Sequence, residues 1–241
     1  MYGSIVARPA TTTTAGIAAP SSDLFERTAG LYAFFREHLF RDDTERITAS
    51  LWPDVSPDPG TLLLEIGCGP GVYARRLAGR YPEIRTVGVD RSWRLLDLAR
   101  SRAAREGIDG CHFELGDALA LDWPDESVDA VVASRLFTVV DGTSALTEMH
   151  RVLKPSGRCF VAEPASSTAT LATMVALRVA GWLAAPHTTE LTIAPATRWP
   201  TCLSEGAFST LAASLPWVSL RVVREHGYHY AIGVKGGGAA R

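Results

Sequence analysis

Four carboxylates, Glu65, Asp90, Asp117 and Glu163, stand in or just beyond short apolar runs that read as strands. The first belongs to Thr61–Arg80, TLLLEIGCGPGVYARRLAGR, where Gly67, Gly69 and Gly71 follow at alternate positions. Glycines at such a bend accept positive φ and let a ligand approach the backbone with no Cβ in the way. A helix starting just after them points its free amides at whatever fills the bend. Asp90 lies 23 residues beyond Gly67, close to the interval at which α/β nucleotide folds place the acid that grips a ribose. Such a carboxylate can accept from both the 2′ and 3′ hydroxyls. The chemistry indicated is nucleoside binding.

Two common phosphate binders are excluded by spacing. A dinucleotide fingerprint, G-x-G-x-x-G, needs a glycine where Val72 stands, and no G-x-x-x-x-G-K-[ST] occurs.

The elements that must hold these acids alternate in type. Leu62–Ile66 reads as a buried strand and the residues from Val72 as a helix. Ile84–Asp90 is a second strand, and Ser92 is placed to cap the helix WRLLDLARSRAARE, leaving Asp90 free. Cys111–Leu115 leads into Gly116-Asp117-Ala118. Val128–Ala133 is a fourth strand, left by Ser134-Arg135-Leu136-Phe137-Thr138 at the end where open α/β sheets bind ligands. A helix over Thr143–Lys154 is broken by Pro155-Ser156-Gly157, and Arg158–Glu163 makes a fifth strand. His150, on that helix, reads as structural. A helix around Leu203–Leu215 and strands near Val218–Arg224 and Tyr228–Val234, turning at Gly227, complete the pattern.

Other segments fall outside the alternation. Residues 1–20 and 236–241 read as tails. Residues 21–56 carry Leu24, Phe25, Leu31, Phe34, Phe35, Leu39, Phe40, Ile47 and Leu51, a spacing that suits two or three amphipathic helices broken near Gly30 and Asp42. This cap can be a lid, with Tyr32, Phe34 and Phe35 as its contacts, or a sheet-edge cover or dimer face. The main domain, residues 57–235, contains an insertion at 164–200 whose core, Thr168–Pro186, is about as long as a short membrane span. Arg178 at its middle and frequent threonines favour a helix over a pocket or a homodimer contact, with peripheral membrane contact the remaining use.

With 241 residues and a net charge of −2, the chain suits one α/β domain with decorations and has no general attraction for nucleic acid. Its four cysteines show neither C-x-x-C pairs nor zinc spacing, so no metal site is expected. That usage, and an N-terminus without a continuous apolar h-region, fits a reduced, cytoplasmic protein.

The run E-I-G-C-G-P-G resembles motif I of the class I S-adenosylmethionine methyltransferases, and E-M-H-R-V-L-K-P-S-G-R-C-F-V-A-E-P resembles their post-IV and motif III region. Taken in order, the motifs resemble the small-molecule "type 11" group over about three-quarters of the chain. The resemblance implies a Rossmann-like, seven-stranded, mostly parallel sheet with flanking helices, and S-adenosyl-L-methionine as cofactor. It implies cofactor contacts from Glu65, Gly67, Cys68, Gly69 and Gly71 at the turn and from Asp90 and Arg91 at the ribose. Asp117 and Ala118 fall beside the adenine, and Ser134 and Arg135 at the exit of the fourth strand. Many such enzymes carry a histidine near Thr138, where this chain has Thr138-Val139-Val140. His38, His187 and Glu163 are the candidate bases, unranked. SRLF stands where base-methylating enzymes have [DN]-P-P-[FYW], so the expected acceptor is a hydrophobic small molecule methylated at O, N or C. A binding scaffold that transfers nothing, a protein acceptor and, less favoured, a nicotinamide oxidoreductase are the alternatives.

Overall fold

The computed structural model describes residues 22–38, 40–53, 55–165 and 202–237. Seven strands form one sheet: β1 (Leu62–Ile66), β2 (Arg85–Asp90), β3 (Cys111–Leu115), β4 (Val128–Ser134), β5 (Leu153–Pro164), β6 (Trp217–Glu225) and β7 (Tyr228–Lys235). Their order is β3-β2-β1-β4-β5-β7-β6, with β7 antiparallel to both of its neighbours. From β1 the chain winds outward through β2 and β3, then returns to lay β4 on the other side of β1. The strand succession therefore reverses between β1 and β4, and open α/β sheets bind ligands above such a point.

Alternation along each strand sorts the core into two layers. Leu63, Ala130, Val132, Phe160 and Ala162 face α2 (Thr44–Leu51) and α3 (Val72–Arg80). Leu64, Ile66, Val131, Ala133 and Val161 face α5 (Gly142–Val152) and α6 (Glu205–Ala212). α4 (Trp93–Glu106) lies on the α3 side, where Leu96, Ala99 and Ala103 meet Phe113 of β3. Cys68, Cys111 and Cys159 are buried, as small hydrophobes in strands should be.

Two local expectations are corrected. Gly30 does not break the first helix: α1 runs unbroken over Ser22–His38. Packing of Ala29 and Ala33 on Leu95 of α4 holds that turn despite the glycine, whose propensity cost of about 1 kcal/mol is small beside it. Nor does Pro155-Ser156-Gly157 end a helix and precede a strand. β5 already starts at Leu153, and the tripeptide is absorbed where the β4–β5 register shifts, Ser156 taking φ 65°. The core of the 164–200 insertion, and His187 with it, lies outside the described residues.

An ionic clasp fixes α1. Glu37 takes Arg75 of α3 at 2.5 Å and Arg102 of α4 at 3.0 Å, with Arg76 at 3.4 Å. Arg75 is 1% exposed and also pairs with Glu106. Replacing Glu37 with Ala leaves part of a buried guanidinium unpaired, and a loss of roughly 2–3 kcal/mol is expected in chemical denaturation. A change below about 0.5 kcal/mol would show that the clasp is a surface ornament.

Candidate functional site

At the reversal between β1 and β4 the glycine turn forms the floor. Gly67, Gly69 and Gly71 all have positive φ, at 67°, 52° and 69°. Their duties differ. A Cβ at Gly71 would meet Phe113 Cε1 at 2.3 Å, so this glycine serves close packing of α3 on β3. A Cβ at Gly67 would lie 2.8 Å from Leu136 in the loop after β4, and one at Gly69 3.4 Å from Tyr32 Cε1.

The turn spends its own amides. Gly67 N and Cys68 N both donate to Val89 O, at 2.8 and 3.0 Å, Gly71 N donates to Cys68 O at 2.9 Å, and Pro70 has none. Gly69 N donates to Asp90 Oδ2 at 2.7 Å. The amides of the bend itself are thus taken by the protein, as is Ala74 N in the first turn of α3. The expectation of a free Asp90 is corrected. Ser92 does cap α4, accepting from Leu95 N at 3.3 Å, yet Asp90 is occupied as well, its Oδ1 taking Ser92 N at 2.9 Å. A carboxylate has about four lone-pair sites, and with the Arg91 amide also acting on it Asp90 retains acceptor capacity for about one more donor. Burial raises the Asp90 carboxyl from its ordinary pKa, and the amides of Ser92 and Gly69 oppose that rise.

Two further acids hold backbone in the same way. Glu65 Oε2 accepts from Ala74 N at 2.7 Å, tying β1 to the first turn of α3. Glu163 Oε1 accepts from Leu136 N at 2.7 Å and Phe137 N at 2.9 Å, fixing the loop that leaves β4. Burial pushes both carboxyls up to about 7 against those hydrogen bonds. Ser134 ends β4 opposite Ala162, and Arg135, at φ 60°, donates its own amide to Ala162 O at 2.8 Å. Its guanidinium lies over the rings of Phe40 and Tyr228, 4.1 and 5.4 Å from their centroids, and donates to Tyr228 Oη at 2.6 Å.

The cover is α1. Tyr32 reaches over Gly69, and burial raises its phenol, with Arg36 and Arg135 opposing and Asp90 and Glu65 adding to the rise. Arg36, Arg135, Asp90 and Glu65 thus all act electrostatically on the Tyr32 phenol. Arg36, one helical turn from Tyr32, is 6% exposed, with its guanidinium 4.5 Å from the Tyr73 ring centroid. Burial opposes its charge, but Tyr73 and Tyr32 outweigh that and keep it protonated. Among the described residues no carboxylate forms an ion pair with it. Sequence reasoning missed this cation; its signal was a lone arginine four residues from Tyr32 among aromatic neighbours.

The remaining candidates scatter. Asp117 is exposed beyond β3 and takes Leu119 N at 2.9 Å, while Ala118 is buried. Arg91 is exposed beside Asp90. His38 is exposed at the end of α1 with its ring 4.8 Å from that of half-exposed Phe34, so neither is part of the cover. His150 packs edge-on against Trp217 at 4.8 Å, a structural role as expected. A separate open groove of about 660 Å³ between α2 and the outer strands holds none of the predicted site residues. Its Arg41 pairs with Asp43 and its Arg46 with Glu225.

The raised carboxyls fix a sign. Between the ordinary 4.5 and about 7 the folded chain keeps protons on Glu65 and Glu163 that the unfolded chain has released. Their contribution to stability is full below the lower value and declines as pH rises through the upper one. Urea melts from pH 4 to 8 are expected to show this decline, with Glu163→Gln losing its share. A difference between wild type and variant that does not change with pH overturns the assignment.

Comparison with known proteins accords with this geometry. Demethylmenaquinone methyltransferase of Deinococcus radiodurans is 42% identical over 102 residues, which is 42% of each chain. The O-methyltransferase cnsE of Penicillium expansum is 32% identical over 121 residues, 49% of this chain and 44% of its own. The chain thus spans under half the length of these relatives. A solved structure of Haemonchus contortus phosphoethanolamine N-methyltransferase 2 with S-adenosyl-L-methionine superposes with a TM-score of 0.67 at 15% identity, over 91% of this chain and 60% of that one. A sequence-family description, "Methyltransferase domain", matches residues 57–196, more than half of the chain. With the reversal between β1 and β4, the glycine bend and the strand-end acids in place, the chain belongs to the methyltransferase domain family.

Proposed function

We propose that the chain transfers a methyl group from S-adenosyl-L-methionine to an O, N or C atom of a hydrophobic small molecule. The observation that carries the cofactor half is Arg36. Among the described residues this buried cation has no carboxylate partner, and it and the strand-end carboxylate of Asp90 both act on the Tyr32 phenol above the glycine-rich bend. That donor set fits a nucleoside bearing an amino acid. Asp90 would accept from the ribose hydroxyls, Arg36 would face the amino-acid carboxylate, and Gly67 and Gly69 would leave room between them. Asp117, Ala118 and Arg91 would border the adenine, Cys68 and Gly71 would shape the bend, and Glu65, Ser134 and Arg135 would flank the amino-acid end.

When bound, S-adenosyl-L-methionine supplies an electrophilic methyl on a sulfonium. The chain's own work is then placement and exclusion of water. Holding two reactants at near-attack distance can contribute about 7–11 kcal/mol. Tyr32 and Arg36 on α1 close the space, and the loop after β4, pinned by Glu163, borders the neighbouring position above β4 and β5. Relatives named for menaquinone and O-methyl transfer support a small-molecule acceptor. No helix among the described residues is long and apolar enough to cross a membrane. We place the enzyme in the cytoplasm, with the apolar insertion as the proposed homodimer or peripheral membrane contact.

Calorimetric titration with S-adenosylhomocysteine tests the reading. Asp90→Ala is expected to weaken binding by roughly 1.5–3 kcal/mol, since it removes charge-assisted hydrogen bonds and releases Gly69 N. Arg36→Met, which keeps the stem that covers Tyr73, should lose a similar amount with S-adenosylhomocysteine and little with methylthioadenosine, which lacks the carboxylate. Unchanged affinity in Asp90→Ala refutes the ribose assignment. Binding by wild type without transfer of labelled methyl to any of a panel of phenols, amines and quinols would instead mark a scaffold.

A further inference from the structure

One strand of the sheet, β7, meets the site with the opposite polarity to its neighbours. β5 runs toward the ligand edge and β7 away from it, so Glu163 and His229 stand directly across from one another in the β5–β7 register. Directly opposed residues share a face, with Cβ atoms about 4.5–5.5 Å apart. Here it is the α5/α6 face: His229 stacks on Phe208 of α6 at 5.3 Å. Both residues are almost wholly buried, at 2% and 1% exposure.

Each keeps one polar atom without a partner. Glu163 spends Oε1 on the Leu136 and Phe137 amides, while its Oε2 has none. His229 donates to the Leu203 carbonyl, and its Nδ1 has no partner. With the ring neutral and Nε2 carrying the hydrogen, Nδ1 is a lone-pair acceptor. Burial, with Arg224 of β6, lowers the His229 pKa while Glu205 of α6 opposes, so the ring stays neutral near pH 7. Arg135, on the loop after β4, is the charged group that faces Glu163. A buried acceptor left unmatched costs roughly 1–3 kcal/mol, and with Glu163 ionised the two residues of this ladder pair each present one among the described residues.

Neighbouring strands are about 4.8 Å apart, so a molecule seated above β4 and β5 lies within one or two strand widths of the crevice at β1. That is where a methyl acceptor must sit. We infer that Glu163 Oε2 and His229 Nδ1 together receive a protic group of the acceptor, a hydroxyl or an amine, and so select an O–H or N–H nucleophile over a bare carbon one. The inference rests on the methyltransferase reading and narrows its acceptor class. Glu163 and His229 orient the nucleophile by accepting its hydrogen, and the Glu163 carboxyl, near 7, is the group placed to keep that proton.

The test compares 2-naphthol with naphthalene, titrated into protein saturated with S-adenosylhomocysteine. At pH 8, where the Glu163 carboxyl is ionised, wild type is expected to bind 2-naphthol about tenfold more tightly than naphthalene, the yield of one buried hydrogen bond to a charged acceptor. Glu163→Gln retains an oxygen for the Leu136 and Phe137 amides and turns the second atom into a donor. His229→Phe keeps the stack on Phe208. In each variant the ratio should fall toward one while the affinity for S-adenosylhomocysteine is unchanged. Equal binding of the two probes by wild type, weak or absent binding of both included, overturns the inference, as does a ratio that survives in Glu163→Gln. Failure of S-adenosylhomocysteine to bind wild type would sink the cofactor reading instead, so the two failures are separable.

Discussion

Burying a carboxylate at a strand end is costly unless backbone donors meet it. This fold uses that requirement to fix its loops. The segments that leave β1, β2 and β4 run over the edge of the sheet, where neighbouring strands take only part of their amides. Glu65, Asp90 and Glu163 take others, and each ties a strand end to a segment distant in sequence or to the bend beside it. In the function proposed above, the carboxylates that hold the loops are also those a ligand approaches. Position and chemistry are therefore set by one set of groups, and the site cannot be loosened without loosening the edge.

The cover obeys a complementary rule. Among the described side chains of α1, Ala29, Ala33 and Tyr32 pack on Leu95 of α4, and ionic contacts add to this packing. Glu37 gathers three arginines, while Arg36 beside it lies over the Tyr73 ring and has no carboxylate partner among the described residues. In the function proposed above, neighbouring residues of one helix divide anchoring from recognition.

Much of this was legible in the sequence. The strands, their order along the chain and the acids at their ends follow from short apolar runs closed by carboxylates. The glycine bend follows from alternation at Gly67, Gly69 and Gly71. What the residues could not disclose were contacts made across long separations. Gly71 is needed for Phe113, not for a ligand, and that requires knowing that α3 lies on β3. Asp90 is shared with Gly69 because β2 neighbours β1. The continuity of α1 through Gly30 depends on α4, which no local propensity reports. His229 gave no signal at all: its role appears only once antiparallel pairing sets it against Glu163.

The reversal of β7 bears on how the molecule is assembled. Residues that shape the nucleoside half emerge from the ribosome early, in an unbroken strand–helix series rich in local contacts. The wall proposed for the acceptor needs β7, which follows every other strand in the sheet and must slot between β5 and β6. A nascent chain is therefore able to shape its donor crevice while the receiving side is still missing. Selectivity for what receives the methyl is completed only when the final hairpin closes.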